Sequence, residues 1–141
     1  MKITKRILAA LLAVTALLSV LVLSASATSF SGQSTPYGSM SGGTSGGNAT
    51  VGGVASKYVY IYVNCSGTAP VLRTDVEIQD YITGNSITSP VTLSHQVTNT
   101  TTNPFTYYLV GRTAKITAWG AHYVKPASGT GTIRYTQLIG A

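Results

Sequence analysis

Hydrophobic and polar residues alternate with a period of two from about residue 57 onward, and this pattern predicts β-strands. In residues 57–64, one side of an extended chain carries Val59, Ile61 and Val63, and the other carries Tyr58, Tyr60 and Tyr62. Residues 72–82 repeat the alternation with a charged outer face: Leu72, Val76, Ile78 and Ile82 alternate with Arg73, Asp75, Glu77 and Gln79. No stretch shows apolar residues at helical spacing between caps, so the expected fold is all β.

Turn signals divide the remaining residues into further strands. Residues 83–86 (Thr-Gly-Asn-Ser) predict a turn, and a strand is expected after Pro90 with one face formed by Val91, Leu93, His95 and Val97. Residues 98–104 are too polar and turn-rich to pair continuously. Strands are then expected at residues 105–110, 113–123 and 132–139. About six to seven strands with short links favour a small antiparallel β-sandwich, with a small β-barrel as the alternative.

The first 27 residues are typical of a secretory signal peptide. Basic residues (Lys2, Lys5 and Arg6) precede an uncharged run over residues 7–23, and small residues at 25–27 form a cleavage site. A retained membrane anchor is the alternative, because the run reaches the short end of the roughly 17 to 25 residues that span a bilayer. The predicted location is secreted, extracellular or at the cell surface. Membrane contact is expected only through this segment during export.

Residues 28–56 differ sharply in composition from residues 57–141. They contain eight of the fifteen glycines, many serines and threonines, and no charged residue. Such a composition buries too little apolar area to offset the entropy of ordering the chain. We therefore expect a flexible Gly/Ser/Thr-rich segment at 28–56 and a folded β-domain at 57–141.

Few residues in this chain can handle protons or hold metals. The three acids lie within six residues of one another (Asp75, Glu77 and Asp80), which does not suit a pair facing across a sugar. His95 lies on an apolar strand face and His122 is expected in a loop or at a strand edge. With the single Cys65 they lack the spacing of a zinc site. The sequence predicts a protein that is not an enzyme, with no catalytic residue, no metal and no cofactor.

Cys65 is the only cysteine, so no internal disulfide can form. It continues the face of Val59, Ile61 and Val63, which predicts a buried thiol; an intermolecular disulfide is the alternative.

Charge is sparse and unevenly placed. Loss of the predicted signal segment lowers the formal charge from +6 to +3, and the residues after 82 hold four basic side chains and no acid. A surface of this sign favours an anionic polymer, although the charges also serve solubility. Nucleic acid is not expected as a partner, because the basic residues are not clustered and the protein is exported.

Aromatic residues give the clearest indication of a binding surface, because nine of the twelve are tyrosine. Tyr58, Tyr60 and Tyr62 form a row roughly 13 Å long that could stack against sugar rings, unless the strand is buried on both faces. A second candidate combines Lys115 and Trp119 with Arg134, if their strands are neighbours; a cation beside an indole suits an anionic glycan.

These features favour a secreted, non-catalytic module that binds an extracellular polysaccharide or an anionic cell-wall polymer. A structural surface protein that self-associates through exposed strand edges is the alternative. A secreted, membrane-active antimicrobial protein is a third possibility, motivated by size, export and positive charge.

Overall fold

The computed structural model describes residues 26–141, which form six β-strands and no helix. The strands are β1 (Ser26–Thr35), β2 (Gly38–Val51), β3 (Val54–Asp80), β4 (Thr92–Val110), β5 (Ile116–Lys125) and β6 (Thr132–Ile139). The all-β prediction is confirmed, and β6 has the predicted bounds. Within this range there is no helix long and apolar enough to cross a membrane. The predicted signal segment lies outside the described residues except for Ser26 and Ala27, which begin β1.

Five of the strands close into a barrel, and the sixth lies along its outside. The sheet order is β2-β1-β6-β5-β3-β4, and β2 also pairs with β3, which closes the ring. Every strand pairing within residues 26–141 is antiparallel. The small barrel, which was the alternative to a sandwich, is therefore the architecture.

The length of β3 explains why a barrel forms rather than two separate sheets. Its first half pairs with β2 over residues 54–65, and its second half pairs with β5 over residues 71–80. Strand β4 pairs with both halves, with a register shift between Asn64 and Ala69. The edge of β3 that does not pair with β4 therefore pairs with β2 along its first half and with β5 along its second half. This closes the five strands into one ring. The alternation predicts two strands, 57–64 and 72–82, but the chain bends at 64–69 without leaving the sheet.

Strand β4 also runs further than its polarity suggests. Residues 98–104, expected not to pair continuously, lie within the strand Thr92–Val110, but their pairing with β3 is interrupted by the register shift between Thr102 and Thr100. The side chain of Asn103 is fully buried and donates 3.0 Å hydrogen bonds to the carbonyls of Leu72 and His95. Polarity here satisfies buried backbone groups rather than ending the strand.

The glycine-rich residues 28–56, predicted to be flexible, instead form most of β1 and all of β2. Glycine allows β2 to approach β3 closely. A Cβ atom on Gly42 would lie 2.8 Å from the carbonyl oxygen of Tyr62, and one on Gly46 would lie still closer to that of Tyr58. The prediction was wrong because the apolar side chains that pack against this segment belong to neighbouring strands and not to the segment itself.

The interior contains two clusters of apolar side chains that meet along β3. The first comprises Val59, Ile61, Val76, Ile78, Ile116, Ala118, Leu138 and Ala141. The second comprises Met40, Val63, Cys65, Ala69, Leu72 and Val124. The predicted inward face of β3 is thus buried, as is Cys65. Ile82 departs from its predicted face and is 88% exposed, because the chain turns away after Asp80.

Candidate functional site

The tyrosine row, Tyr58, Tyr60 and Tyr62, lies on the outer face of the first half of β3. All three side chains are half-buried, and the rings of Tyr60 and Tyr62 stack with centroids 5.7 Å apart. The opposing positions on β2 are Gly43, Ser45 and Gly47. A Cβ atom on Gly43 would lie 3.0 Å from the ring of Tyr62, and one on Gly47 would lie 3.6 Å from that of Tyr58. Rings at both ends of the row therefore contact glycine positions and keep part of their surface in solvent.

A second aromatic surface lies where the second half of β3 meets β5 and β6. Ala121 opposes Asp75 on one side and Tyr135 on the other. Its small side chain leaves a depression of about 330 Å³. The lining residues are Asp75, Glu77, Thr92, Trp119, Gly120, Ala121, Tyr123, Tyr135 and Thr136. Trp119 is 48% exposed and Tyr135 is 75% exposed, so two large rings present their surfaces to solvent. We call this depression the Trp119 groove.

Two further depressions adjoin the Trp119 groove. One, of about 320 Å³, shares Trp119, Tyr135 and Thr136 with it and adds Thr28 and Gln137. The other, of about 200 Å³, shares Thr28 with the second and is lined by Ala27, Ser29, Gly43, Thr44, Ser45 and Tyr62. Because neighbouring depressions share lining residues, they form one extended surface from the acidic residues of β3 to the end of the tyrosine row. We call the three together the outer groove.

Two carboxylates lie in the Trp119 groove, and their surroundings differ. Asp75 accepts two hydrogen bonds from Arg73, at 2.7 and 2.9 Å, and its side chain is only 11% exposed. The Arg73 guanidinium lies 5.5 Å from the centroid of the Tyr123 ring. Burial raises the pKa of the Tyr123 hydroxyl, and the charge of Asp75 raises it further. The negative charge of Asp75 is thus balanced by the guanidinium of Arg73.

Glu77 has no such partner. Its Oε1 accepts a 2.8 Å hydrogen bond from the amide of Gln79. The third acid, Asp80, is paired with Arg112. Among the acids of residues 26–141, Glu77 alone forms no ion pair.

The second predicted site, Lys115 and Trp119 with Arg134, is not brought together. Strands β5 and β6 are neighbours, as the prediction required. However, Trp119 opposes Gln137, whereas Arg134 opposes His122, three residues further along β5. Successive residues of a strand point to opposite faces, so Trp119 and Arg134 lie on opposite faces of the sheet.

Both cations of that predicted site have other contacts. The Lys115 Nζ lies 5.9 Å from the ring centroid of Tyr81, and Arg134 donates hydrogen bonds to the side chain of Gln33. Carboxylates, not cations, flank Trp119. The predicted grouping of Trp119 with two cations is therefore corrected, and the anionic ligand stays a prediction.

Neither histidine lines the outer groove. His122, expected in a loop or at an edge, is fully buried inside the barrel. Its Nε2 lies 2.6 Å from the Thr136 hydroxyl, which in turn lies 2.6 Å from the Thr44 hydroxyl. Burial lowers the pKa of His122 to about 4, so the ring is neutral at pH 7.

His95 is half-buried on β4. Its Nδ1 lies 2.5 Å from Oδ1 of Asn103, and its ring stacks on Phe105 at 4.8 Å. Its hydrogen-bond partner is an amide, and that of His122 is a hydroxyl, so neither histidine is oriented by a carboxylate as a general base would be. Residues 26–141 contain no group of three metal-binding side chains. The prediction that the protein is not an enzyme stays a prediction.

The sequence pattern missed Asp75, Glu77, Tyr123 and Tyr135 as site residues. The available signal was the small Ala121 between Trp119 and Tyr123 on one strand face. The contribution of Tyr135 depends on the register of β6 against β5, which the alternation does not specify.

Comparison of the chain with protein-family models, with curated proteins and with solved structures finds no match.

Proposed function

We propose that this protein is a secreted, non-catalytic module that binds an extracellular polysaccharide along the outer groove. The observation that supports this most strongly is the continuity of the three depressions, bordered by the exposed rings of Trp119 and Tyr135 and reaching Tyr62. Aromatic rings offer flat apolar faces to the C–H faces of sugars, and nearby polar groups bind hydroxyls. An open, extended surface suits a polymer better than a single small molecule, which a closed pocket would bury.

The rigidity of the aromatic side chains supports the same proposal. Trp119, Tyr135 and Tyr62 lie on strands of the closed barrel, so their backbone positions are fixed before a ligand arrives. Tyrosine and tryptophan have only two side-chain torsions, and little entropy is lost when they contact a ligand. The half-buried ring of Tyr62 is further restrained by its contact with Gly43 and its stacking on Tyr60.

Co-sedimentation with a panel of insoluble polysaccharides and cell-wall preparations tests the proposal. The double variant Trp119→Ala/Tyr135→Ala removes both exposed rings and should weaken binding roughly tenfold or more, because each ring contributes on the order of 1 kcal/mol. Ile82→Ala/Val91→Ala removes two exposed apolar side chains outside the groove and is the matched control. Absence of binding to every polymer, or equal binding by the double variant and the control, would contradict the proposal.

A second candidate function, self-association, is favoured by the free edge of β4. This strand has 19 residues, none of them charged, and within residues 26–141 it pairs only with β3. Natural edge strands are usually protected by charged residues, proline, bulges or short length; β4 is long and uncharged, and only the register shift at residues 100–102 and Pro104 interrupt its edge. Two copies of an uncharged strand can pair antiparallel without charge repulsion, which would join two barrels into one continuous sheet.

Sedimentation velocity over a concentration series tests this second function. One variant replaces the exposed Gln96, Thr98 and Thr106 with lysine, and another replaces them with glutamate. Each should be monomeric alone, because like charges face each other across the new pair, and an equimolar mixture should associate. Lysine at Thr117, on the non-edge strand β5, is the control. A wild type that is monomeric at every concentration would exclude the idea, as would lysine variants that still associate.

A further inference from the structure

We propose that the Trp119 groove selects a glycan with a free, positively charged amino group, such as a polymer of unacetylated hexosamine. This inference rests on the proposed polysaccharide binding and specifies the ligand of the same surface. It replaces the anionic polymer expected from the overall positive charge.

The first argument is the charge of the groove lining. Its two ionisable acids, Asp75 and Glu77, are accompanied by no basic residue among the lining side chains. Arg73, beside the groove, neutralises Asp75 through two hydrogen bonds. Glu77 remains, with one amide donor and no cation. The groove therefore offers one uncompensated carboxylate.

The second argument is the position of that carboxylate beside an exposed indole. Glu77 is the direct cross-strand partner of Trp119, so their Cβ atoms lie about 5 Å apart on the same face. A ring stacked on Trp119 would bring its substituents close to Glu77. Indole faces also attract ammonium groups, with a strength that increases when water is excluded.

The third argument is the wider aromatic content of the groove. Tyr123 and Tyr135 line the same depression as Trp119. Tyr123 already contacts the Arg73 guanidinium, so the exposed rings of Trp119 and Tyr135, together with the Glu77 carboxylate, would recognise an ammonium group while contacting the apolar parts of its carrier. An anionic polymer would instead place its charge beside Glu77, which disfavours it.

Calorimetric titration with two matched probes tests the inference. They are the tetramer of β-1,4-linked glucosamine and the corresponding N-acetylated tetramer, compared with wild-type protein at about pH 6 and low salt. The glucosamine tetramer should bind at least about fivefold more tightly, the factor expected for one ion pair of roughly 1 kcal/mol. Added salt should reduce the difference.

Two variants identify the groups responsible. Glu77→Gln keeps the shape and the amide contact and should bring the two affinities to within about twofold of each other. Thr102→Lys adds the same unit of positive charge at an exposed position on β4 outside the groove lining and should leave the preference unchanged. Trp119→Ala should weaken both tetramers by a similar factor.

The outcomes separate this inference from the proposed function. Equal binding of both tetramers, or a preference that survives in Glu77→Gln, overturns the amine selectivity and leaves polysaccharide binding standing. If neither tetramer binds while another polymer of the panel binds through Trp119 and Tyr135, the selectivity is again overturned. If no polymer binds, both proposals fall.

Discussion

The two halves of β3 belong to one strand and one sheet, but the side chains on their outer faces differ in kind. The first half carries three tyrosines, and its neighbour β2 supplies Gly43, Ser45 and Gly47. The second half carries Arg73, Asp75 and Glu77, and its neighbour β5 supplies Trp119, Ala121 and Tyr123. In both halves a large ring on one strand lies beside a small residue on the next. Where a single alanine lies between rings, a depression of about 330 Å³ opens; beside the glycines the depression is smaller, about 200 Å³.

The interiors of the two halves differ as well. The first half buries Val59, Ile61, Val63 and the thiol of Cys65, and the buried Lys57 near its start donates a hydrogen bond to Asn48. The second half includes Thr74, which opposes His122 on β5, and both side chains are buried. The groove therefore lies outside the part of the barrel that contains a buried histidine, where stability should depend on pH.

The largest expected effect concerns this polar interior. Burial lowers the pKa of folded His122 to about 4 from its ordinary 6.5. Between these values the unfolded chain binds more protons, so stability should fall by roughly 3 kcal/mol as pH drops from about 7 to 4. Urea unfolding across this range measures the loss. His122→Gln should flatten this part of the profile, and equal slopes in both proteins would show that His122 is not the cause.

The next effect tests the glycine contacts of the first half. A Cβ on Gly46 would overlap the Tyr58 carbonyl oxygen and lie 2.6 Å from a Leu138 methyl, whereas one on Gly47 makes only ordinary contacts. Gly46→Ala should destabilise the fold by about 2 kcal/mol through overpacking, and Gly47→Ala by less than about 0.5 kcal/mol. Urea midpoints measure both. Similar values for the adjacent glycines would contradict close strand packing.

A smaller effect separates the two carboxylates of the second half. Asp75→Asn removes the ion pair with Arg73 and should cost about 1 kcal/mol, a value reduced by the partial exposure of the guanidinium. Glu77→Gln removes no ion pair and should change stability by less than about 0.3 kcal/mol. Unfolding at low and high salt measures both changes, and an equal cost would mean that Glu77 has an unrecognised partner.

The smallest effect compares Tyr62, on the first half of β3, with Tyr135, which lies on β6 in the groove beside the second half. Tyr62 is half-buried against Gly43 and Tyr60, so Tyr62→Ala should cost roughly 0.7 kcal/mol. Tyr135 is 75% exposed, and Tyr135→Ala should cost only about 0.2 kcal/mol. Thermal unfolding resolves the order of the two. The reverse order would mean that Tyr135 contributes more to the fold than its exposure indicates.

Local alternation predicted the parts of this fold that depend on one strand at a time. It identified the inward face of β3, the outward tyrosines and the bounds of β6. It failed where a neighbouring strand decides the outcome. Glycines at 42 and 46 mark close approach rather than flexibility, because the side chains that cover them belong to other strands. The separation of Trp119 from Arg134 likewise depends on register, and a shift of one residue would have placed them on the same face of the sheet.

The junction of β1 with β6 has a consequence for maturation. Among residues 26–141, Ser26 and Ala27 alone pair there, with Ile139 and Leu138, and the Thr28 hydroxyl binds both backbone groups of Gln137. Cleavage after Ala27, as the sequence predicts, would remove both paired residues and leave Thr28 as the new terminus. In the exported form, the hydroxyl of Thr28 and the hydrogen bonds from Arg134 to Gln33 would then join β1 to β6 without a backbone-paired residue, so this junction would be the weakest of the barrel.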